Sequence, residues 1–321
     1  MKVIKTKVHT STSYNLLDIK SVVVDEVIVF NILIKKNSDY VIIIEAGTKI
    51  TKSLYSKLSH QQELYISKKD SQQQVLTYKT LSRYINFNTN NLEKIMQFLY
   101  TVNTQFFDNI FKNDNNDINI EAMNHILDSL ISLVTTDSNS IQNMISFFKN
   151  YYNISHHSLH VAIYSIKLCT LLKYNDKKVR QVATAALLHD VGYTKIDDVM
   201  LKKNEKLKTD EILDVKKHTT YSVEIIKKNK ILDPYIINAI GQHHERYDGS
   251  GYPKGLHQKD ISDFAAIISI CDVFDALTID RPYRKEYHSF DALRMMMKDE
   301  LMVNTFNQDY IKLGLKSLLA G

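Results

Sequence analysis

The sequence predicts a mainly α protein: a C-terminal helical bundle behind a small N-terminal α+β domain. Three observations support this. Strand-length runs of β-branched residues are confined to the start of the chain, at 22–24, 27–34 and 40–44. From residue 75 onward the apolar residues switch to helical spacing. The chain has only 8 glycines and 3 prolines, yet Gly241, Gly249, Gly251, Gly255 and Pro253 sit close together, marking one irregular loop of defined shape.

The elements follow in order. A polar turn at 35–39 separates the strands 27–34 and 40–44, and Gly47 follows. Thr51 opens a short helical pattern through Leu54 and Leu58, and 63–66 reads as one more strand. These form a small α+β domain over 1–75. A helical connecting region covers 76–140. In it Leu92, Ile95, Met96, Leu99, Val102, Phe106 and Ile110 make one apolar face. The polar run 112–117 interrupts it as a loop, and Ile120, Met123, Ile126, Leu127 and Leu130 restart it. Residues 141–321 read as helix after helix. No repeat, heptad array or low-complexity tract is present.

Composition narrows the function classes. Hydrophobic residues make up 44%, enough to bury a sizeable core, and charged residues 24%, as in a globular protein. A net charge of +5 favours an anionic ligand, but the basic residues form no stripe, so a nucleic-acid partner is not expected. Lys202, Lys203, Lys206 and Lys208 read as a solvated face. Cys169 and Cys271 lie in apolar helical patterns, as small buried hydrophobes rather than a disulfide, which suits a reducing compartment. There is no apolar run of signal-peptide or membrane-spanning length, so the expectation is a cytoplasmic protein without a membrane partner.

The chemistry is concentrated at helix ends. His189-Asp190 ends the apolar run 182–188. By itself this dipeptide is better explained as a cap and a satisfied core histidine. Other residues change that balance. His243-His244 closes the helix 234–242. Adjacent helical residues point about 100° apart, so both reach one centre only near the helix end or around more than one ion. His157 begins another helix, His218 lies mid-helix between Val215 and Val223, and Asp272 follows the apolar run 264–271. Five histidines and two aspartates on separate helices match the way bundles build metal sites. Imidazole with carboxylate suits Fe, Mn or Zn better than Ca or Mg.

The strings carrying these residues resemble the HD-GYP family, a subgroup of the HD phosphohydrolases. His157-Ser158-Leu159-His160-Val161 resembles its opening HSxxV, His189-Asp190-Val191-Gly192 its HDxG, and His218 its isolated metal histidine. His243-His244-Glu245-Arg246-Tyr247-Asp248-Gly249-Ser250-Gly251-Tyr252-Pro253 matches HHExxDGxGYP. Asp272-Val273-Phe274-Asp275-Ala276-Leu277-Thr278 and Arg281-Pro282-Tyr283-Arg284 match DxxDAxT and RPYR. The resemblance covers roughly half the chain. The N-terminal part is only loosely similar to the small domain that precedes some members.

The resemblance implies an HD-type bundle that hydrolyses cyclic di-GMP to pGpG, with onward cleavage to GMP left open. It implies two divalent ions, Fe or Mn, held by His157, His189, Asp190, His218, His243, His244 and Asp272. Asp190 would bridge the ions and, with His189, anchor the catalytic centre. Two cations about 3.5–4 Å apart can hold a hydroxide and stabilise both oxygens of an in-line displacement. The loop 248–253 would wrap the substrate through Gly251, Tyr252 and Pro253, while Arg281 and Arg284 clamp phosphate oxygens.

Departures from the family pattern sharpen these expectations. Tyr193 replaces the lysine that normally follows HDxG and faces the scissile phosphate. Lys195 or Lys203 could compensate, and Lys203 matches a later family lysine. Asn153 stands where some members carry a glutamate tied to a third metal, so two metals are expected. Asp197 and Asn204 replace family prolines as neutral loop drift. His156 and His160 read as surface or supporting residues, and His9, His60, His125, His257 and His288 as ordinary. Glu245 reads as a loop anchor before a proton-transfer group, and Asp275 as an orienting residue or a cap. Two alternatives stay open: a cyclic-dinucleotide-binding signalling module of low activity, whose N-terminal domain passes a signal to a protein partner, and a phosphodiesterase for another cyclic dinucleotide.

Overall fold

A computed structural model describes residues 7–8, 14–17, 19, 22, 24, 28, 30–37, 39–61, 63–68, 92–136, 153–197, 200, 205, 208–279 and 285–318. Of these, 7–8, 92–94, 96–98 and 315–318 are described by backbone alone. The chain forms two compact units, Met1–Gln105 and Phe106–Gly321, and is mainly α as expected.

The first unit holds an antiparallel sheet in the order β1-β4-β3-β5-β2. Its strands are β1 Lys7–Val8, β2 Tyr14–Leu16, β3 Ile32–Lys36, β4 Asp39–Ile44 and β5 Tyr65–Ser67. Helix α1, Lys52–Ser59, starts where predicted: the Thr51 hydroxyl accepts from the Leu54 N–H at 3.2 Å. Leu58 from α1 joins Leu17, Ile32, Ile44, Ile50 and Ile66 in one apolar core.

Two strand expectations need correction. The strand expected at 27–34 is β3, shifted to Ile32–Lys36, because Asn37 adopts φ 55° and allows a two-residue connection. Pairing therefore continues to Lys36↔Asp39, and the expected turn at 35–39 is shorter. The run 22–24 is not a strand at its described positions. The Val22 N–H closes a turn onto the Ile19 carbonyl at 3.0 Å, and the Val22 side chain is buried all the same. Val23 lies outside the described residues.

Helix α2, Leu92–Lys112, and α3, Ile120–Thr136, flank the polar loop that the sequence marks. The second unit continues with α4 Ile154–Leu171, α5 Asp176–Leu188 and a 3-10 turn Val191–Lys195. Then come α6 Thr209–Lys216, α7 His218–Lys228, α8 Pro234–Gln242 and α9 Asp263–Thr278. Helices α10 Ser289–Lys298 and α11 Gln308–Leu318 complete it. Side-chain caps set several starts: Asn153 for α4, Asn175 for α5, Asp233 with Pro234 for α8, and Ser262 for α9.

Helices α4 and α9 are buried nearly all round and pack on each other, α4 also on α5 and α3. Helix α8 packs on α5, α7 and α9, and α7 rests on the 3-10 turn. The end of α5 and the end of α8 thus lie beside α9 with α4, and the start of α7 joins them through α8 and the 3-10 turn. His218 is not mid-helix. The Lys217 N–H turns back to the Asp214 carbonyl at 3.0 Å, so the helix breaks and His218 heads α7. Among the described residues no helix is long and apolar enough to cross a membrane. Cys169 and Cys271 are buried and free.

Candidate metal centre

The interior of the second unit contains more buried polar side chains than an apolar bundle needs. His189, His218 and His243 are fully buried, and His157, Asp190 and Asp272 nearly so. Such groups are costly to bury unless each is partnered.

Three of the imidazoles are held by one device. His189, His218 and His243 each direct Nδ1 to the carbonyl three residues back, Ala186, Val215 and Ile240, at 2.7, 2.8 and 2.7 Å. These carbonyls lie at helix ends, where backbone acceptors lack an intrahelical partner. A carbonyl only accepts, so Nδ1 is the protonated nitrogen and Nε2 presents its lone pair. His157 is held by a carboxylate instead, with Nδ1 2.7 Å from Asp275 Oδ2. Asp275 is fully buried, and its other oxygen meets His160 Nδ1 at 2.8 Å. Asp275 is thus an orienting residue rather than a cap, and His160 its second partner rather than a surface group. His156 is buried too, with Nε2 3.2 Å from the Asn153 amide nitrogen.

All seven sequence-predicted ligands come together. They form two groups, Asp190–His218–His243–His244 and His157–His189–Asp272, and within each the candidate ligand atoms lie within 4.8 Å of one another. Asp190 stands between the groups. Its Oδ1 is 3.2 Å from His218 Nε2 and 3.6 Å from His243 Nε2. Its Oδ2 is 3.3 Å from His189 Nε2 and 3.7 Å from His157 Nε2. His157 Nε2 also lies 3.2 Å from Asp272 Oδ1, and His244 Nδ1 lies 3.7 Å from Asp272 Oδ2.

This donor set fits divalent cations. His189 Nε2 and Asp190 Oδ1 are buried without a hydrogen-bond partner. The Nε2 atoms of His218 and His243 face each other at 3.4 Å. With both Nδ1 atoms donating to carbonyls, that contact sets lone pair against lone pair unless a cation or proton lies between.

The electrostatics agree. Burial opposes ionisation of Asp190, but His189, His218 and His243 outweigh it and hold the carboxyl well below the usual range. Asp272 is likewise lowered against burial, by His157 and His244. Burial lowers His243 to about 4 and takes His244 well below the ordinary imidazole value. Both are therefore neutral bases at pH 7. Burial works against charge on His157 also, yet Asp272 and Asp275 raise it well above that value.

The glycine-rich loop folds back on the histidine pair. Glu245 is buried, and its carboxylate accepts from the Lys254 N–H at 2.7 Å and the Leu256 N–H at 2.8 Å. It is a loop anchor, as read from the sequence. Glu245→Gln replaces one acceptor with an amide donor facing an N–H. The expected loss is about 1.5–3 kcal/mol in urea unfolding, and an unchanged midpoint would reject the anchor. Gly249 has φ 81°, a left-handed conformation that glycine tolerates. A Cβ on Gly251 would lie 2.4 Å from Arg246 N and 2.5 Å from His244 O, so only glycine lets this strand of the loop approach. The Tyr252 N–H donates to the His244 carbonyl at 3.1 Å, and its ring stacks on the His244 imidazole at 4.7 Å. The Tyr252–Pro253 peptide is cis.

Tyr193 lies flat on His218, with ring centroids 4.4 Å apart and planes 6° apart. Lys195 is held by Glu224 at 2.9 Å. Lys203, Arg281 and Arg284 lie outside the described residues. Sequence reasoning missed Ser222, whose hydroxyl accepts from the Gly192 N–H at 2.8 Å and donates to the His189 carbonyl at 2.7 Å. It carried no signal, since a serine in a helix is unremarkable. Asp275 and His160 did carry one. Each stands three residues after a predicted ligand, on the same helix face.

A helical bundle with carboxylates and imidazoles gathered at facing helix ends defines a metal-site domain. The chain belongs to the HD domain family, whose model matches residues 137–302. It is 37% identical over 140 residues to a cyclic di-GMP phosphodiesterase of Pseudomonas aeruginosa, covering 44% of this chain and 34% of that protein. A 3'3'-cGAMP-specific phosphodiesterase of Vibrio cholerae is 37% identical over 142 residues, covering 44% and 30%. A cyclic di-GMP phosphodiesterase response regulator of Xanthomonas campestris is 42% identical over 123 residues, covering 38% and 32%. The chain thus spans about a third of the length of these curated relatives. Among solved structures, an HDG"Y"P protein from Bdellovibrio bacteriovorus shares the fold with a TM-score of 0.69, covering 96% of this chain and all of that one at 22% identity.

Proposed function

We propose that this chain is a metal-dependent phosphodiesterase that hydrolyses cyclic di-GMP to pGpG, with residues 141–321 as its catalytic unit. The observation that carries the proposal is Asp190, whose two oxygens face two separate groups of ligating side chains. Cyclic di-GMP phosphodiesterases among the relatives of the matched region support the choice of substrate.

In this reading His157, His189 and Asp272 would hold one ion and His218, His243 and His244 the other, with Asp190 shared by both groups. Fe or Mn suits this imidazole–carboxylate set. When bound, the ions supply Lewis acidity and an activated water for attack at phosphorus. The protein's own groups do the rest. Asp275 and the helix-end carbonyls fix the imidazoles, Glu245 sets the loop, and Gly251, Tyr252 and Pro253 shape the substrate's rim. Two ions rather than three suits Asn153, whose side-chain oxygen is occupied by the His156 N–H at 2.8 Å and the Ser155 hydroxyl at 2.7 Å. The free, buried cysteines fit a cytoplasmic setting.

Elemental analysis and turnover measured on one sample test the proposal. About two equivalents of Fe or Mn with release of pGpG is expected, and His189→Ala removes both. Tight cyclic di-GMP binding without turnover in the metal-loaded protein would instead identify a signalling module, the reading that Tyr193 in the lysine position favours. A panel including 3'3'-cGAMP decides between dinucleotides, since a relative of similar identity is specific for that substrate.

A further inference from the structure

Tyr193 puts a phenol where the family pattern has a lysine. Its ring is stacked on His218, and a phenol offers no positive charge. Among the described residues, Arg246, Lys195 and Lys217 have defined partners. Arg246 is mostly buried and donates to the His243 and Glu245 carbonyls and the Ser269 hydroxyl at 3.1, 3.0 and 2.7 Å. Lys195 is paired with Glu224, and Lys217 with Asp214 at 2.6 Å.

Lys216 differs from all of these. It is the last residue of α6, two before His218, and its ammonium sits 4.9 Å from the centre of the Tyr252 ring. The same ring has His244 at 4.7 Å. Lys216 is half-buried, and among the described residues it forms no ion pair. A cation–π contact offsets only part of the desolvation of an ammonium, and an anion at the same place would complete it. The lysine stem is long and its three donors rotate freely, so the ammonium can follow a ligand entering over Tyr252.

We propose that Lys216 grips a phosphate oxygen of the cyclic dinucleotide beside Tyr252, supplying the positive charge that Tyr193 does not. This rests on the functional reading above. Lys216 is then a substrate-binding residue, held ready by the tyrosine of the glycine-rich loop. Its position at the break before His218 couples it to the metal-side element, so substrate and ligand sphere meet on one short stretch of chain.

The test compares metal-loaded full chains carrying Lys216→Met, Lys216→Arg and, as a neighbouring charge control, Lys217→Met. Steady-state turnover of cyclic di-GMP is read with metal content and melting temperature. Calorimetric binding of cyclic di-GMP to the chelator-treated proteins gives a readout free of catalysis. Lys216→Met is expected to raise KM and the dissociation constant about tenfold or more, the size of a lost charge-assisted hydrogen bond, with metal content and melting temperature unchanged. Lys216→Arg restores most of the affinity, and Lys217→Met behaves like the parent. Unchanged KM and binding in Lys216→Met, with an active parent, overturns the proposal and leaves the phosphodiesterase reading intact. Loss of metal or of folding in Lys216→Met also overturns it, by making the residue structural. A parent that neither binds nor hydrolyses cyclic di-GMP removes the functional reading and this one with it.

Discussion

Asp190→Ala removes turnover and metal together. The carboxylate lies within 3.7 Å of four imidazole nitrogens, those of His157, His189, His218 and His243, and links the two ligand groups. No other described carboxylate can replace it, since Asp272 faces His157 and His244 and Asp275 is turned to His157 and His160. A bound water becomes acidic enough to supply hydroxide at neutral pH only on a well-held ion, so activity is expected to drop by several orders of magnitude. Stability suffers as well. Removing one member of a buried charged cluster costs about 3–5 kcal/mol, because the remaining groups stay buried without their partner. Asp190→Asn separates the two effects: it retains the shape and part of the hydrogen bonding, and should fold better while still failing to retain two ions. Metal analysis, urea unfolding and turnover on the three proteins check this. An Asp190→Ala protein with two ions and near-parent rate would end the bridging assignment.

Gly192→Ala unseats the site without touching a ligand. The turn after Asp190 lies directly on the head of α7. A Cβ on Gly192 would fall 2.0 Å from the His218 carbonyl oxygen and 2.5 Å from the Ser222 amide nitrogen. Both are backbone atoms, so no side-chain rotation relieves the clash, and the two segments must separate. One carries His189 and Asp190, the other His218. The Ser222 hydroxyl bridge between the Gly192 N–H and the His189 carbonyl breaks in the same movement. The expected loss is about 3 kcal/mol or more, the upper range for overpacking. Turnover of the folded fraction should fall about a hundredfold, as catalytic groups shift by about 1 Å. Gly314→Ala is the contrast, because nothing lies within 4 Å of its added Cβ. Its melting temperature should match the parent's or exceed it slightly, since alanine is the better helix former. A Gly192→Ala protein as stable and active as Gly314→Ala would show that the turn and α7 are not tightly seated.

Much of the fold is legible in residue order because helix periodicity and capping are local. Helix α8 occupies the predicted 234–242, and Thr51 caps α1 as its side chain suggests. Where local signals compete, the reading slips. The β-branched run at Val22 is buried as part of a turn, and β3 extends through two exposed lysines because Asn37 permits a tight connection. His218 moves from mid-helix to a helix head for a similar reason: a single i−3 hydrogen bond at Lys217, invisible to hydrophobic spacing, ends the preceding helix.

By itself the sequence determined which side chains gather here: seven imidazoles and carboxylates, in motif strings whose helices are set by short-range rules. Tertiary structure decided how they face one another. It turned the two oxygens of Asp190 to different groups, made helix-end carbonyls the acceptors for three imidazoles, put Asp275 between His157 and His160, and set Lys216 over Tyr252. The physical reason is range. A helix's period fixes the direction of a side chain around its own axis, whereas contacts between residues 118 apart, such as His157 and Asp275, depend on how helices cross in the packed core.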